Sequence, residues 1–282
     1  MPVTLIADGG STKVEWCLLS KGRKKTFLTQ GLSPYFLTRA QIADIINDEL
    51  KAKLKNVEVA DLFYYGTGCA NPGNAKSMKI ALRQNFTKAR IEVGTDLLAA
   101  ARALCGNKTG IACILGTGSN SGYFNGKKIA RNSPGLGYIL GDEASGAYLG
   151  KKIIQHYLYN TFDEELRFKF DEKFKTTKTD ILDSVYKKPL PNRYLAGFTL
   201  FLAENRGHYM IENIIEDGLN DFFFQHLCKY PEVWKMPVHF TGSVAYGFKD
   251  VIEQLCQVYK FELGTVLKAP MKGLVKYHGH TE

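Results

Sequence analysis

Leu5-Ile-Ala-Asp-Gly-Gly-Ser-Thr-Lys-Val-Glu-Trp-Cys-Leu-Leu-Ser-Lys-Gly-Arg-Lys-Lys25 reads as a strand, a glycine turn, a strand, a second glycine turn and a basic strand. A second stretch, Cys113-Ile-Leu-Gly-Thr-Gly-Ser-Asn-Ser-Gly-Tyr-Phe-Asn-Gly-Lys-Lys-Ile129, reads the same way. Its Asn125-Gly126 pair is a strong hairpin turn. Both first turns follow an apolar strand and carry small hydroxyl residues. A chain that opens each half with the same unit reads as a duplicated fold.

Alternating strands and helices follow each unit. In the first half, Thr38-Arg-Ala-Gln41 is a capping box that predicts a helix to about Leu54. Ile42, Ile45, Ile46 and Leu50 have helical spacing. Leu62–Tyr65 reads as a buried strand, Gly66–Gly73 as a loop and Ala75–Phe86 as a helix. Ile91–Val93 is a strand that ends in Gly94-Thr95-Asp96, and Leu97–Leu104 is helical. In the second half, helices are expected over Glu143–Tyr159, Asn205–Leu227 and Lys249–Tyr259, with a short last one from Met271 to His278. Thr161–Pro191 reads as a charged helical insertion, and Val238–Phe240 as a strand. This alternation predicts an α/β fold with parallel strands under helical cover. The boundary is expected near Gly106–Gly110, giving domains 1–109 and 110–270, with 271–282 packing back on the first.

The 282 residues suffice for two domains of ordinary size. With 45% hydrophobic and 23% charged residues, the composition is that of a globular protein. The first ten residues lack the basic-then-apolar pattern of a secretory signal, and no apolar run reaches about 18 residues. The six cysteines form no C-x-x-C pair, and four lie in apolar runs. They read as reduced, buried thiols, so a cytoplasmic location is expected. The net charge of +9 is spread along the chain, with short clusters at Lys21–Lys25 and Lys173–Lys178. It favours small anions, and no nucleic-acid motif accompanies it. The expected partner is a small molecule, not nucleic acid or a membrane.

Three glycine turns and two acidic positions carry the chemistry. In Asp8-Gly9-Gly10-Ser11-Thr12-Lys13, the glycines let backbone N–H groups approach a phosphate, and Asp8 can face its magnesium. Gly116-Thr117-Gly118-Ser119-Asn120 is the second such turn. It fits neither the dinucleotide-binding nor the Walker pattern. Gly242-Ser243-Val244-Ala245 joins a strand to a helix, where an adenosine can lie against the backbone. Each also reads as an ordinary tight turn. Asp96 ends a strand, where α/β folds bind ligands, and reads equally as a general base or a helix N-cap. Asp142, in Gly135-Leu-Gly-Tyr-Ile-Leu-Gly-Asp-Glu143, reads as an acceptor for sugar hydroxyls or as a cap, with Glu143 favoured by a helix dipole.

Taken in order, these five segments resemble the BadF/BadG/BcrA/BcrD family of ATPases, in particular its N-acetylglucosamine kinase-like members in the actin–hexokinase–Hsp70 superfamily. The resemblance covers nearly the whole chain. It implies two ribonuclease H-like domains around an interdomain cleft for ATP and sugar, whose closure expels water. It implies that Asp8, Gly9, Gly10, Ser11, Thr12 and Lys13 form one phosphate hairpin and Gly116 to Asn120 the other. Gly242 to Ala245 would hold adenosine. Asp8 would meet magnesium through water. Thr67, Gly68, Gly137 and Asp142 would contact the sugar, and Asp96 would be the base that activates its 6-hydroxyl. A homodimer is common among such proteins.

One position departs from that pattern. The kinases carry a sugar-contacting Asn where this chain reads Gly31-Leu-Ser-Pro-Tyr-Phe36, with Tyr35 in its place. Glucosamine, N-acetylglucosamine and N-acetylmuramic acid therefore all stand as candidate substrates. The resemblance also admits an ATPase activator of the 2-hydroxyacyl-CoA dehydratase type, whose iron–sulfur cluster is held by cysteine. Cys69 is the only cysteine in a glycine-rich loop here. A sensor that binds sugar or ATP without turnover is the third reading.

Overall fold

The first apolar run, Leu5-Ile-Ala, forms the centre of a five-stranded sheet, because its side chains are buried on both faces. In the computed structural model, residues 3–10, 13–20, 22–55 and 57–279 are described, so Ser11 and Thr12 of the first turn lie outside the described residues. The chain divides into two units, Met1–Asn107 with Ala269–Glu282, and Lys108–Lys268.

The first unit holds β1 (Thr4–Gly9), β2 (Lys13–Ser20), β3 (Arg23–Gln30), β4 (Asp61–Gly66) and β5 (Arg90–Thr95). Their order is β3-β2-β1-β4-β5. The first three strands are antiparallel neighbours, whereas β4 and β5 run parallel to β1. The second unit holds β6 (Thr109–Leu115), β7 (Ser119–Asn125), β8 (Ile129–Ser133), β9 (Val238–Thr241) and β10 (Leu263–Leu267). Read from its β8 edge, the order is β8-β7-β6-β9-β10, strand for strand that of the first unit. The antiparallel meander and the two parallel additions recur as well. The duplication read from two hairpins thus extends through all ten strands.

The helices follow their local signals. Thr38 and Gln41 form the expected capping box, each side chain bonding the other's backbone N–H. The helix runs on through a π-helical stretch, Ile46–Lys51, and stops at Leu54, where Lys55 turns left-handed. One expected helix begins earlier than its apolar pattern suggests. Asn71 caps it through the N–H groups of Gly73 and Asn74, with Pro72 in the first turn. Two begin later. The Gly146–Leu158 helix waits for Ser145 to cap it, because Asp142 and Ala144 both adopt positive φ. The Tyr209–Gln225 helix starts after Gly207, which is also left-handed, and is capped by His208.

Each unit has its own core. In the first, Trp16 is fully buried and donates its indole N–H to Thr29 Oγ1 at 3.0 Å. Burying a side chain of this size contributes about 3 kcal/mol. The Met271–Gly279 helix belongs to this unit, and Gly273 lets its backbone lie against Ala103. In the second, the 161–191 stretch forms the Glu164–Phe174 and Lys178–Tyr186 helices. Phe162, Phe170, Phe174, Phe198 and Phe201 interlock there, tying the first of these helices to the rest of the core. Among the described residues no helix is long and apolar enough to cross a membrane.

Candidate functional site

In the first unit, parallel pairing sets Gly9 beside Gly66, and Gly66 beside Thr95. The residues that follow these three strand ends therefore collect at one edge of the sheet, the carboxyl edge where such folds bind ligands. Asp8, Gly9, Gly10, Thr67, Gly68 and Asp96 all lie there. The Thr67 N–H donates to the Gly9 carbonyl at 3.0 Å, tying the second loop to the first. At Gly10 the N–H donates to the Lys13 carbonyl at 3.0 Å, closing the hairpin, and Lys13 is exposed. Gly9 has no room for a Cβ, which would run into the Tyr64 hydroxyl.

Asp96 is not the N-cap of its helix. That place belongs to Thr95, whose Oγ1 accepts the Leu98 N–H at 3.0 Å. Asp96 Oδ1 accepts the Leu97 N–H at 2.8 Å. Its Oδ2 has only a long 3.5 Å contact from Thr67 Oγ1, which leaves that oxygen able to take a proton. Burial pushes the Asp96 pKa up, against the bonds from Leu97 and Thr67 that lower it. Asp8 is raised to about 6, first by burial and then by the negative charges of Glu15 and Asp96, with Lys13 opposing. A half-buried carboxylate facing two others is short of positive charge, and a divalent cation would supply it.

Gly68 takes a φ of +84°, and Asn74 holds its carbonyl at 3.2 Å. A Cβ on Gly68 would come 2.8 Å from Tyr35 Cε2. Tyr35 therefore lies against the loop of Thr67 and Gly68 with 63% of its surface exposed.

In the second unit the equivalent edge gathers Gly116–Asn120, Asp142 and Gly242–Ala245. Gly116 closes its hairpin by donating to the Gly118 carbonyl at 3.0 Å. The carbonyls of Gly116 and Thr117 accept the N–H groups of Gly146 and Ala147, at 2.7 and 3.1 Å. The hairpin thereby satisfies the first turn of the Gly146–Leu158 helix. Gly242, at φ +123°, passes so close to the Leu115 carbonyl that no Cβ fits. Ser243 is exposed, whereas the side chains of Val244 and Ala245 are buried in the unit's core. Only the backbone of those two can face a ligand. Ser119 Oγ and Thr241 Oγ1 are buried without a hydrogen-bond partner among the described residues. Two orphaned hydroxyls at this edge fit a polar ligand such as a nucleotide.

Asp142 does not cap the following helix, since Ser145 does. Its carboxylate lies instead against the hairpin, accepting the Ser119 N–H at 3.4 Å. A Cβ on Gly118 would come 3.0 Å from Asp142 Oδ2. Burial and Glu143 push the Asp142 pKa up, while the Ser119 bond, His226 and Lys151 draw it down. Gly137 opens the short Gly137–Leu140 helix with φ +76° and open space around it. Among the described residues no hydrogen bond joins it to Asp142. Glu143 pairs with His226 rather than with a helix dipole. His226 and its partner Ser133 were not singled out in the sequence. A lone histidine ending an apolar helix gives no signal of a polar partner 83 residues away.

A protein of Porphyromonas gingivalis, provisionally designated an N-acetylglucosamine kinase, is 39% identical to this chain. The two match over 99% of each chain with a TM-score of 0.94. The chain belongs to the N-acetylglucosamine kinase-like family. A protein of the same provisional designation from Chromobacterium violaceum matches over 98% of this chain and 99% of its own, at 18% identity and TM-score 0.76. The AMPPNP-bound MreB5 of Spiroplasma citri matches at 10% identity and TM-score 0.60, over 100% of this chain and 96% of its own. These two show the fold alone, and that fold is actin-like. No protein-family model and no curated protein sequence matches the chain.

Proposed function

We propose that this family member is an ATP-dependent kinase that phosphorylates an amino sugar, N-acetylglucosamine foremost, at its 6-hydroxyl. The observation that carries the reading is Asp96. Its helix is capped by Thr95, and its Oδ2 holds only a long contact from Thr67 at the edge where Asp8 also lies. Asp96 takes the proton of the 6-hydroxyl as O6 attacks the γ-phosphorus. The bond from that phosphorus to the bridging oxygen breaks, and ADP leaves. A carboxylate with a pKa raised towards neutrality is better matched to this transfer than a solvated one.

In this reading the hairpins of Asp8–Lys13 and Gly116–Asn120 offer phosphate oxygens those backbone N–H groups that are not spent on closing the turns or on Asp142, and Gly242 and Ser243 border the adenosine. Asp8 would hold, through water, the magnesium carried by ATP, which would supply positive charge to the phosphates. Thr67, Gly68, Asp142 and Gly137 contact the sugar, and Tyr35 selects among sugars. The wider BadF/BadG/BcrA/BcrD relationship, a cytoplasmic location and a homodimer belong to the same proposal. Against the activator reading stands Cys69, which is buried in the core of the first unit with its thiol pushed up to about 11 by burial. A cluster ligand needs an accessible thiolate.

The test is ATP consumption by the purified protein with magnesium over N-acetylglucosamine, glucosamine, N-acetylmuramic acid and glucose. Turnover that requires one amino sugar is expected. Slow hydrolysis indifferent to every sugar would overturn the reading.

A further inference from the structure

Asp142 and Glu143 are consecutive carboxylates whose side chains part company. Asp142, at φ +59°, points to the Ser119 N–H. Glu143 points to His226, with Oε2 at 2.8 Å from Nε2. A carboxylate can only accept, so Nε2 carries the proton. The other ring nitrogen, Nδ1, lies 3.0 Å from Ser133 Oγ. Ser133 is itself fixed, its N–H donating to the Tyr230 hydroxyl at 2.6 Å, which donates in turn to the Ser121 carbonyl at 3.0 Å. The imidazole stacks on Phe222, with ring centroids 4.8 Å apart. Ser133, His226 and Asp142 are buried, whereas the Glu143 side chain keeps 20% of its surface exposed.

This is a rigid chain of bonds ending in a carboxylate that is open on one side. Four groups are spent on fixing it: Ser121 from β7, Ser133 from β8, His226 at the C-terminus of the Tyr209–Gln225 helix, and Tyr230 just beyond that helix. A core histidine needs no such terminus. A hydroxyl-binding carboxylate does, because one held oxygen keeps the other aimed at the ligand.

We infer that Ser133 and His226 are positioning residues that fix Glu143 as the acceptor for a ring hydroxyl next to the one held by Asp142, so that the site selects a vicinal diol. The inference rests on the kinase reading above and adds the class of substrate group recognised. A buried acceptor left without its hydroxyl donor is costly, so a sugar lacking one of the pair is discriminated against.

The experiment measures sugar and ATP kinetics of the wild type, Glu143→Gln, His226→Asn and His226→Gln. The sugars are N-acetylglucosamine and its 3-deoxy and 4-deoxy analogues. His226→Asn is expected to raise the sugar KM about tenfold, with kcat within about twofold and the ATP KM unchanged. His226→Gln, whose amide reaches as far as Nε2, should recover most of that loss. Glu143→Gln, an isosteric change that keeps the fold, should raise the KM for the parent sugar but not for one of the two deoxy analogues. A joint rise in the ATP and sugar KM values, or equal penalties on parent and both analogues, would reduce the chain to a structural brace and overturn the inference. Unchanged KM values in an active enzyme sink this inference alone. A wild type with no sugar-dependent turnover sinks the kinase reading and this one with it.

Discussion

The two units share a strand order and a hairpin, yet their carboxyl edges differ in charge. In the first, β1 ends in Asp8-Gly9 and β5 runs into Asp96. In the second, β6 ends in Ile114-Leu115 and β10 runs into Lys268. Across the first hairpin Asp8 pairs with Glu15, and at the matching place Ile114 pairs with Asn120. The second unit's only carboxylate against its hairpin, among the described residues, is Asp142, which arrives from a loop after β8 rather than from a strand. One duplicated scaffold thus carries its carboxylates at strand ends in one copy and, in the other, takes a carboxylate from a loop beside the buried hydroxyls of Ser119 and Thr241. On the proposed reading, duplication supplied the phosphate turns, and the proton chemistry was built on one half alone.

The largest effect expected from that asymmetry is at Asp96. Asp96→Asn should lower sugar-dependent phosphoryl transfer by about a hundredfold or more while ATP affinity stays near normal, as single-turnover and binding measurements would show. The residual rate should also lose its acid limb. In the wild type kcat should fall as pH drops through the Asp96 pKa, which burial raises, because only the ionised carboxylate takes a proton. Lost ATP binding in a folded variant would move Asp96 from proton transfer to nucleotide contact and erase the contrast between the units.

Asp8 offers a stability test of the same contrast. Its pKa is raised in the fold to about 6, so between about 4 and about 6 the native state binds more protons than the unfolded one. Stability conferred by a protonated Asp8 is therefore lost as pH rises through that window. Without nucleotide and magnesium, Asp8→Asn should be more stable than wild type at pH 8 by roughly 1–3 kcal/mol, and near equal at pH 4. Thermal unfolding at the two pH values reads this directly. Magnesium with ATP should narrow the gap at pH 8, because only the wild type gains a cation partner. A variant less stable than wild type at pH 8 would mean that Asp8 is already compensated.

The second unit should respond through its hairpin. Gly118→Val places a branched side chain against Asp142 Oδ2, where even a Cβ would come to 3.0 Å. It should weaken ATP binding about tenfold, by calorimetry, with Tm little changed because the turn is at the sheet edge. Unchanged ATP affinity would count against the second hairpin as a phosphate site.

How much of this was legible in the sequence depended on range. The hairpins, the capping box at Thr38 and the strand ending at Asp96 are written in residues a few positions apart, and they folded as read. β10 was missed because Leu263-Gly-Thr-Val-Leu267 is short and only half-buried. Its Gly264 is required by His239, whose ring occupies the place of a Cβ, and sequence spacing does not show that neighbour. The early start expected for the Gly146–Leu158 helix failed for the same reason. Asp142 and Ala144 hold left-handed conformations that local preference opposes. The surrounding contacts, Ser119 on Asp142 and His226 on Glu143, come from 23 and 83 residues away. Two such residues, Asp142 and Ala144, thus fall in the loop that bears the candidate binding carboxylates, where strain is commonly spent.

The smallest expected effect, and the one that sharpens the substrate, is at Tyr35. Its ring lies on Gly68 and stays largely exposed, so it borders the candidate sugar loop of the first unit without supporting the core. Tyr35→Asn removes that apolar face and restores a short amide donor and acceptor. Contacts of this size discriminate by about 1 kcal/mol. The ratio of kcat/KM for N-acetylglucosamine to that for N-acetylmuramic acid should therefore change about three- to tenfold, while ATP KM and Tm hold. If the ratio does not move, sugar selection does not run through the first unit's loop. It would then reside in Asp142 and Glu143, leaving the first unit to catalysis and the second to recognition.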